Sequence, residues 1–386
     1  MIPFIDLKTQ FKNLESDIRD AINGVLDHGR FILGPEVADL EKQLADFTGA
    51  KHAISCSSGT DALLMPLMAK EIGPGDIVFT TPFTFIATAE VISLLGATPV
   101  FVDIDPITFN MDPAKLKQAI NAVKTLNREV YPLPETVSSG AVPKAVIPVD
   151  LFGLPADYDT IMGIAGHENL FVLEDAAQGF GGTYKGRQAG SLAHAGATSF
   201  FPAKPLGCYG DGGAIFTDDE ELAEKLLSVR VHGQGKDKYN NIRIGLNARL
   251  DTMQAAVLLQ KLKIFPQEIS ARNKAATNYS NALAELREEI KTPCIPAEYS
   301  SAWAQYSLLS DKRDLIIEEL KRENIPTAIY YPKPLHLQGA FSKLGYKAGD
   351  FPVSESVSQR IFSLPMHPYL DDVLINKIAE IIYRAI

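Results

Sequence analysis

Short apolar runs alternate with longer segments of helical periodicity along the first half of the chain. The runs are rich in β-branched and aromatic residues, and the longer segments have Ser, Thr or Asp near their starts. This alternation predicts an α/β fold in which a sheet is joined by crossover helices. The predicted strands lie at 52–55, 77–80, 98–102, 145–149 and 170–173, and the predicted helices at 60–70, 84–95 and 113–124.

The pattern changes after Phe216. Residues 218–231 and 251–286 are predicted to be mainly helical, with short strands and helices from there to residue 386. We therefore expect a large domain over 13–245 and a smaller domain formed by 246–386 together with 1–12. Residues 127–143 hold three prolines and little periodicity, which is typical of a long surface excursion.

Composition narrows the class of protein. The 37 Lys and Arg against 47 Asp and Glu give a net charge of -10, so general binding to nucleic acid or to an anionic membrane is not expected. Three scattered cysteines do not form a disulfide framework, which fits a reducing cytoplasm. No secretory signal, membrane span or metal-ligand spacing of histidines is visible in the sequence.

One candidate site is Ser57-Ser58-Gly59-Thr60-Asp61, between a predicted strand and a predicted helix. Backbone N–H groups at a helix N-terminus, together with hydroxyls, bind phosphate. Taken alone, the segment is more often explained by ordinary helix capping by a serine. No GxGxxG or GxxxxGK[ST] motif occurs, so neither a dinucleotide-binding loop nor a P-loop is predicted.

Two further segments carry chemistry. Glu174 and Asp175 end an apolar strand, where a carboxylate can hold a protonated ring nitrogen, although acidic strand ends are often only caps or solvated turns. Lys204 is flanked by aromatic residues and prolines, and desolvation favours the neutral amine that a Schiff-base lysine needs. A phosphate cup, a ring acid and a lysine are together the protein groups that pyridoxal 5'-phosphate requires. Phe85 could stack on its ring or simply pack in the core.

These motifs resemble the DegT/DnrJ/EryC1/StrS family of pyridoxal-phosphate sugar aminotransferases, and the resemblance runs essentially end to end. It implies fold type I, with a mostly parallel mixed sheet flanked by helices in the large domain and a smaller α+β domain. The segments that carry the resemblance are Ile5-Asp6-Leu7, 29–35, 57–63, 174–178, 199–213 and 245–251.

The resemblance also implies the roles of individual residues. Lys204 would bond the cofactor and relay protons, and Asp175 would pair with the pyridine nitrogen. Asn247 and Arg249 would reach the site from the partner subunit of a homodimer with shared active sites. The remaining cofactor-binding residues would be Ser58, Gly59, Thr60 and Ser199 at the phosphate, Phe85 on the ring and Gln178 near the ring hydroxyl.

Substrate contacts follow less directly. An acidic protein needs local cations for a nucleotide sugar, and the candidates are Arg30, Arg187, Arg249, Lys333 and His336. Tyr330 and Tyr331 stand where many members of the family have His-Tyr, so both are candidates for substrate choice. The segments 200–213 and 363–368 are most similar to enzymes that aminate C3 of a UDP-3-keto-N-acetylglucosaminuronate for lipopolysaccharide O-antigen.

The expected reaction is a ping-pong transamination in which L-glutamate converts pyridoxal phosphate to pyridoxamine phosphate, which then aminates the keto-sugar. The sequence leaves three alternatives open. The first is a dehydratase on the same scaffold, although those relatives replace the lysine that this chain retains as Lys204. The second is amination at C4 of a dTDP- or UDP-4-keto-hexose. The third is a regulator that keeps the fold without catalysis.

Overall fold

A computed structural model describes residues 2–237 and 239–386. Its main feature is a seven-stranded sheet with the strand order β1-β9-β8-β5-β4-β2-β3. Six of these strands run in one direction, and β9 runs antiparallel to both of its neighbours. The strands of the chain are β1 (His52–Cys56), β2 (Asp76–Thr80), β3 (Thr98–Phe101), β4 (Val142–Ile147), β5 (Phe171–Asp175), β6 (Thr183–Tyr184), β7 (Arg187–Gln188), β8 (Ala195–Ser199), β9 (Gly213–Thr217), β10 (Tyr299–Ser300), β11 (Tyr306–Leu309) and β12 (Ile361–Leu364).

Helices cover both faces of this sheet. The helices of the described residues are α1 (Leu7–His28), α2 (Pro35–Thr48), α3 (Gly59–Ala69), α4 (Ala87–Leu94), α5 (Pro113–Thr125), α6 (Tyr158–Glu168), α7 (Glu220–Val229), α8 (Thr252–Ala282), α9 (Arg313–Arg322), α10 (Pro352–Arg360) and α11 (Asp372–Ala385). The five predicted strands and the predicted helices 60–70 and 113–124 are confirmed within a few residues. Helix α4 begins three residues later than predicted, because 81–86 form an irregular turn.

Successive residues of β5 show how the sheet separates two cores. Val172 packs into a cluster with α5 and α6, and Leu173 packs into a different cluster with α3, α4 and α7. Side chains in a strand alternate between faces. Glu174 therefore lies on the same face as Val172, and Asp175 lies on the same face as Leu173.

A third core lies around the second half of α8. It contains side chains of β11, β12, α9 and α11, with Ile2 packed against it. The first half of α8 packs on α2 and on the main sheet instead, so this helix connects the two regions. Close to the N-terminus, Gln10 donates to Glu268 at 2.9 Å and α1 packs along α8. The division of the chain into domains at residue 245 stays a prediction.

The excursion predicted at 127–143 is held more firmly than expected. Tyr131, Leu133 and Val137 are buried in the main core. The Tyr131 hydroxyl accepts the Asp103 N–H at 2.8 Å. The prediction of a purely surface segment was therefore wrong at these three positions, because widely spaced apolar anchors produce no helix or strand periodicity.

Candidate active site

The ends of five strands bring the predicted residues to one edge of the sheet. Strands β1, β2, β4, β5 and β8 run parallel and end there, and β9 begins opposite Cys56 and Ser199. Ligands in open α/β sheets bind beyond the carboxyl ends of such strands. The turns that carry Gly59, Phe85, Asp175 and Lys204 consequently leave the sheet at the same edge.

Gly59 and Ser199 form the floor of the candidate phosphate cup. A Cβ atom at Gly59 would lie 2.5 Å from the Ser199 Cβ, so only glycine permits this approach. The N–H groups of Gly59 and Thr60 lie in the first turn of α3, which has no intrahelical acceptors for them. The Ser58 hydroxyl caps α3 by accepting the Asp61 N–H at 3.0 Å, so the capping interpretation is confirmed for Ser58.

Asp175 is buried at the end of β5. Its Oδ2 accepts the Thr88 hydroxyl at 2.8 Å, and its Oδ1 accepts the Ala177 N–H at 3.2 Å. Burial raises the pKa of Asp175, while these two hydrogen bonds and the positive charge of Lys204 oppose that rise. The carboxylate is thus desolvated and held in place by two donors, as a partner for a buried cation must be.

Lys204 lies in the loop between β8 and β9. The backbone N–H of Lys204 donates to the Phe201 carbonyl at 2.9 Å, and the backbone N–H of Cys208 donates to the Phe200 carbonyl at 2.8 Å. These two hydrogen bonds close the loop. Burial lowers the pKa of Lys204, and the Asp175 carboxylate acts in the opposite direction. Each of these groups influences the pKa of the other, so the fold has brought the two predicted catalytic residues together.

Thr88 is not among the site residues that the sequence predicts. It lies on α4, one turn after Phe85, and its hydroxyl also contacts the Phe85 carbonyl at 3.3 Å. Phe85 is 56% exposed at the site edge, so its ring is available to a ligand and does not pack in the core. A hydroxyl residue in the first turn of a helix that follows a parallel strand is the signal that could have identified Thr88.

Gln178 and Tyr331 are joined directly. The Gln178 side chain donates to the Tyr331 hydroxyl at 3.0 Å and accepts the Phe152 N–H at 2.8 Å. Tyr330 is partly buried and packs against Phe4. The structure therefore connects Tyr331, a predicted substrate residue, to the predicted cofactor residue Gln178.

Asn247 and Arg249 lie on the segment that leads into α8. The segment is fixed beside the candidate cup, because the Ser57 N–H donates to the Ala248 carbonyl at 3.1 Å. Asn247 is exposed, and the partly buried Arg249 has an Nε atom without a partner among the described residues. Arg30 is exposed.

His336 is placed differently from the other candidates. It is 2% exposed, its ring packs on Phe351, and its Nε2 lies 3.1 Å from Glu355. These contacts describe a packed histidine, and none of them reaches Lys204. Its substrate role stays a prediction. Lys333 and Arg187 are exposed.

Other features of the described residues carry no part of this site. A groove of about 540 Å³ between α5 and α6 contains none of the predicted residues. Within 2–237 and 239–386, no helix has the length and apolar character needed to cross a membrane. The same residues hold no group of three or more His, Cys, Asp or Glu side chains suited to a metal ion.

A mainly parallel sheet with a lysine and a buried acid at one edge, beside a candidate phosphate cup, is typical of the fold type I class of pyridoxal-phosphate transferases. Residues 12–383 match the DegT/DnrJ/EryC1/StrS aminotransferase family model. The chain belongs to this family.

Individual relatives agree with this membership. The chain is 48% identical over 376 residues to the UDP-2-acetamido-2-deoxy-3-oxo-D-glucuronate aminotransferase of Pseudomonas aeruginosa, covering 97% of this chain and 98% of the relative. A crystal structure of a family aminotransferase from Brucella abortus has a TM-score of 0.93 and 51% identity, covering 100% of this chain and 99% of that one. NtdA from Bacillus subtilis, solved with bound cofactor PMP, has a TM-score of 0.84 and 29% identity. The match covers 99% of this chain and 83% of that one.

Proposed function

We propose that this protein transfers the amino group of L-glutamate to C3 of UDP-2-acetamido-2-deoxy-3-oxo-glucuronate, with pyridoxal 5'-phosphate as cofactor. The observation that supports the cofactor is the joint placement of Lys204, Asp175 and the Gly59 cup at one sheet edge. The sugar and the carbon are supported by the 48% identical relative from Pseudomonas aeruginosa, whose name states that substrate.

The residues fit the cofactor on structural grounds. A cup that a single Cβ atom at Gly59 would fill suits a phosphate, which needs close access to backbone N–H groups. When bound, pyridoxal phosphate supplies an aldehyde and an electron-accepting ring. The residues that would hold it are Gly59, Thr60 and Ser199 at the phosphate, Phe85 at the ring face, and Gln178 and Asp175 at the ring edge.

Two residues of this chain move or hold charge. The lowered pKa of Lys204 increases the fraction of neutral amine, which is the form that attacks a carbonyl and accepts a proton. Asp175 keeps a negative charge in a buried position, where it favours protonation of a neighbouring ring nitrogen. Thr88 fixes that carboxylate by its hydrogen bond.

The sugar must be bound by cations, because a UDP-linked uronate is strongly anionic. Arg249 is the strongest candidate, since its Nε is buried without a partner among the described residues. Arg30, Tyr330 and Tyr331 are the other candidates. Guanidinium groups suit both phosphate and carboxylate.

A homodimer with shared active sites is part of the proposal. Apolar side chains are exposed beside the site residues, with Phe31 48%, Ile32 46% and Phe201 52% accessible. Large exposed apolar groups are typical of a protein interface, and a second copy of this chain is the partner we propose. We also propose a cytoplasmic enzyme that serves O-antigen synthesis, consistent with cysteines that are all unpaired.

The test is optical. The purified protein should absorb visible light, lose that absorbance with L-glutamate, and regain it with the correct keto-sugar. Lys204→Ala should lack this cycle, whereas Lys51→Ala, an exposed lysine, should retain it. Protein that stays colourless after reconstitution with pyridoxal phosphate would refute the proposed aminotransferase function. Recovery only with 4-keto-hexoses would refute the assignment to C3.

A further inference from the structure

Two buried carboxyl groups lie behind the candidate site. Asp150 follows β4, Glu174 is in β5, and both side chains are 0% exposed. The two carboxyl groups lie within hydrogen-bonding reach of each other, and this interaction acts to raise the pKa of Asp150 and to lower that of Glu174. A hydrogen bond between two carboxyl groups requires a proton on one of them.

The other hydrogen bonds show which group carries that proton. Glu174 accepts the N–H of Gly190 at 2.5 Å with one oxygen and the N–H of Leu192 at 2.8 Å with the other. Asp150 Oδ1 accepts the Ala156 N–H at 3.0 Å and the Tyr158 hydroxyl at 2.8 Å. Asp150 Oδ2 receives no donor from the described residues. A proton on Oδ2 of Asp150 satisfies every one of these atoms.

The charges around the pair support one proton. Burial raises the pKa of Asp150 well above its usual range and that of Glu174 to about 7. Tyr158, itself buried, donates its hydroxyl to Asp150 and carries no positive charge. Arg187 favours the charged form of Glu174, but it is exposed and donates to Asp159 at 2.8 Å. Two ionised carboxylates in this place would be uncompensated.

The pair is tied to Asp175 through the backbone. The Asp150 N–H donates to the Asp175 carbonyl at 3.0 Å, and the Asp175 N–H donates to the Pro148 carbonyl at 2.9 Å. The turn that carries Gln178 lies against Asp150, because a Cβ atom at Gly179 would be 2.4 Å from the Asp150 Cβ. The position of the Asp150–Glu174 pair therefore fixes two residues of the candidate site.

We propose that a protonated Asp150 donates to an ionised Glu174, and that this carboxyl pair is the positioning device for Asp175 and Gln178. It also limits the charge behind the site to one negative unit. The consequence for the cofactor rests on the proposed function of Asp175, whereas the shared proton does not depend on it.

Two isosteric substitutions in the holoenzyme test the pair. In Asp150→Asn the amide Nδ2 donates to Glu174 as the protonated oxygen did, and Oδ1 keeps both of its donors. In Glu174→Gln one oxygen that accepts a backbone N–H becomes an NH₂ group. Asp150→Asn should keep the wild-type denaturant midpoint and cofactor affinity, and Glu174→Gln should lower the midpoint and weaken the affinity at least tenfold. Asp20→Asn, an exposed site on α1, is the matched control.

Spectroscopy provides a measurement that a merely structural role would not change. The infrared band of a protonated carboxyl group should be present in wild-type protein at neutral pH and absent from Asp150→Asn. The stability that wild type loses as the pH rises from the usual aspartate pKa near 3.9 through the raised pKa of Asp150 should also be smaller in Asp150→Asn, since its amide cannot ionise.

The following results would overturn the proposal, in whole or in one part. Greater sensitivity of Asp150→Asn than of Glu174→Gln would place the proton on Glu174. Stabilisation by both substitutions, without the infrared band, would show two ionised groups. If Asp175→Asn leaves the absorbance of bound cofactor unchanged over pH, the proposed role of Asp175 fails, and the shared proton is still decided by the band and the midpoints. If Glu174→Gln destabilises the fold but leaves cofactor affinity and absorbance intact, the positioning role fails.

Discussion

Glu174 and Asp175 are consecutive in the chain, yet their carboxyl groups serve opposite faces of the sheet. Glu174 accepts backbone N–H groups of Gly190 and Leu192, whereas Asp175 accepts the hydroxyl of Thr88. Strand alternation separates them, so only Asp175 lies on the face with Lys204. Asp175 is thereby available for chemistry, whereas Glu174 has a structural role.

Thr88 should control the charge of Asp175. Thr88→Val removes a hydrogen bond to a carboxylate, which raises the pKa of Asp175 further because the charged form loses its donor. A hydrogen bond to a charged group contributes about 1.5–3 kcal/mol, so we expect kcat/KM to fall by about tenfold or more. Steady-state kinetics measure this loss. Thr88→Ser retains the hydroxyl and should recover most activity, and an equally inactive serine variant would contradict the role.

The pH dependence of Lys204 should follow the charge of Asp175. The carboxylate favours the ammonium form, so Asp175→Asn should lower the pKa of Lys204 below its already depressed value. The rate at which apoprotein captures pyridoxal phosphate rises with the neutral amine, and its midpoint should move to lower pH. Stopped-flow absorbance across pH measures the midpoint. Asp159→Asn, at an exposed position, serves as the control, and an upward shift in Asp175→Asn would refute the interaction.

Gly59 should be irreplaceable because of Ser199. Gly59→Ala places a Cβ atom 2.5 Å from the Ser199 Cβ, and such overpacking costs about 1–3 kcal/mol. We expect weaker cofactor binding, measured by equilibrium titration. Ser199→Gly removes the colliding atom, so the double variant should bind better than Gly59→Ala alone. Additive losses in the double variant would show that the two residues are not in contact.

Mixed dimers test the shared site. Lys204→Ala and Asn247→Asp subunits should each be inactive alone if Asn247 acts across the interface. A heterodimer then holds one intact site, and random mixing predicts about one quarter of wild-type activity from the two-fold symmetry of the dimer. Mixing Lys204→Ala with Asp175→Asn is the control, because both defects affect the same subunit's site and no activity should return. Recovery in that control would contradict the proposed geometry.

Lys261 should make stability rise with alkaline pH. Its ammonium is 1% exposed, donates to the Gly207 carbonyl at 2.7 Å, and has a pKa lowered to about 8 by burial. Between the pKa of Lys261 in the folded protein and the usual lysine pKa near 10.4, the unfolded chain keeps a proton on Lys261 that the folded chain has released. The free energy of unfolding should therefore increase by about 3 kcal/mol across that pH interval. Denaturant unfolding at several pH values measures this slope. Lys261→Met should have a smaller slope, and an unchanged slope would contradict the assignment.

The sequence by itself determined the elements and the chemical parts of the site. Five strands and several helices follow from hydrophobic period, and Lys204, Asp175 and the Gly59 segment follow from local motifs. These features are readable because each depends on neighbours within a few residues, where spacing and capping rules act directly.

Tertiary structure decided the contacts between distant segments. Thr88 and Asp175 are 87 residues apart in sequence, and nothing local indicates that a hydroxyl on α4 reaches the end of β5. The burial of His336 and the anchoring of Tyr131 likewise depend on packing against remote elements. The sequence therefore determined which groups are available, and the order of parallel strands in the sheet decided which of them meet, because that order is set by long-range pairing and burial.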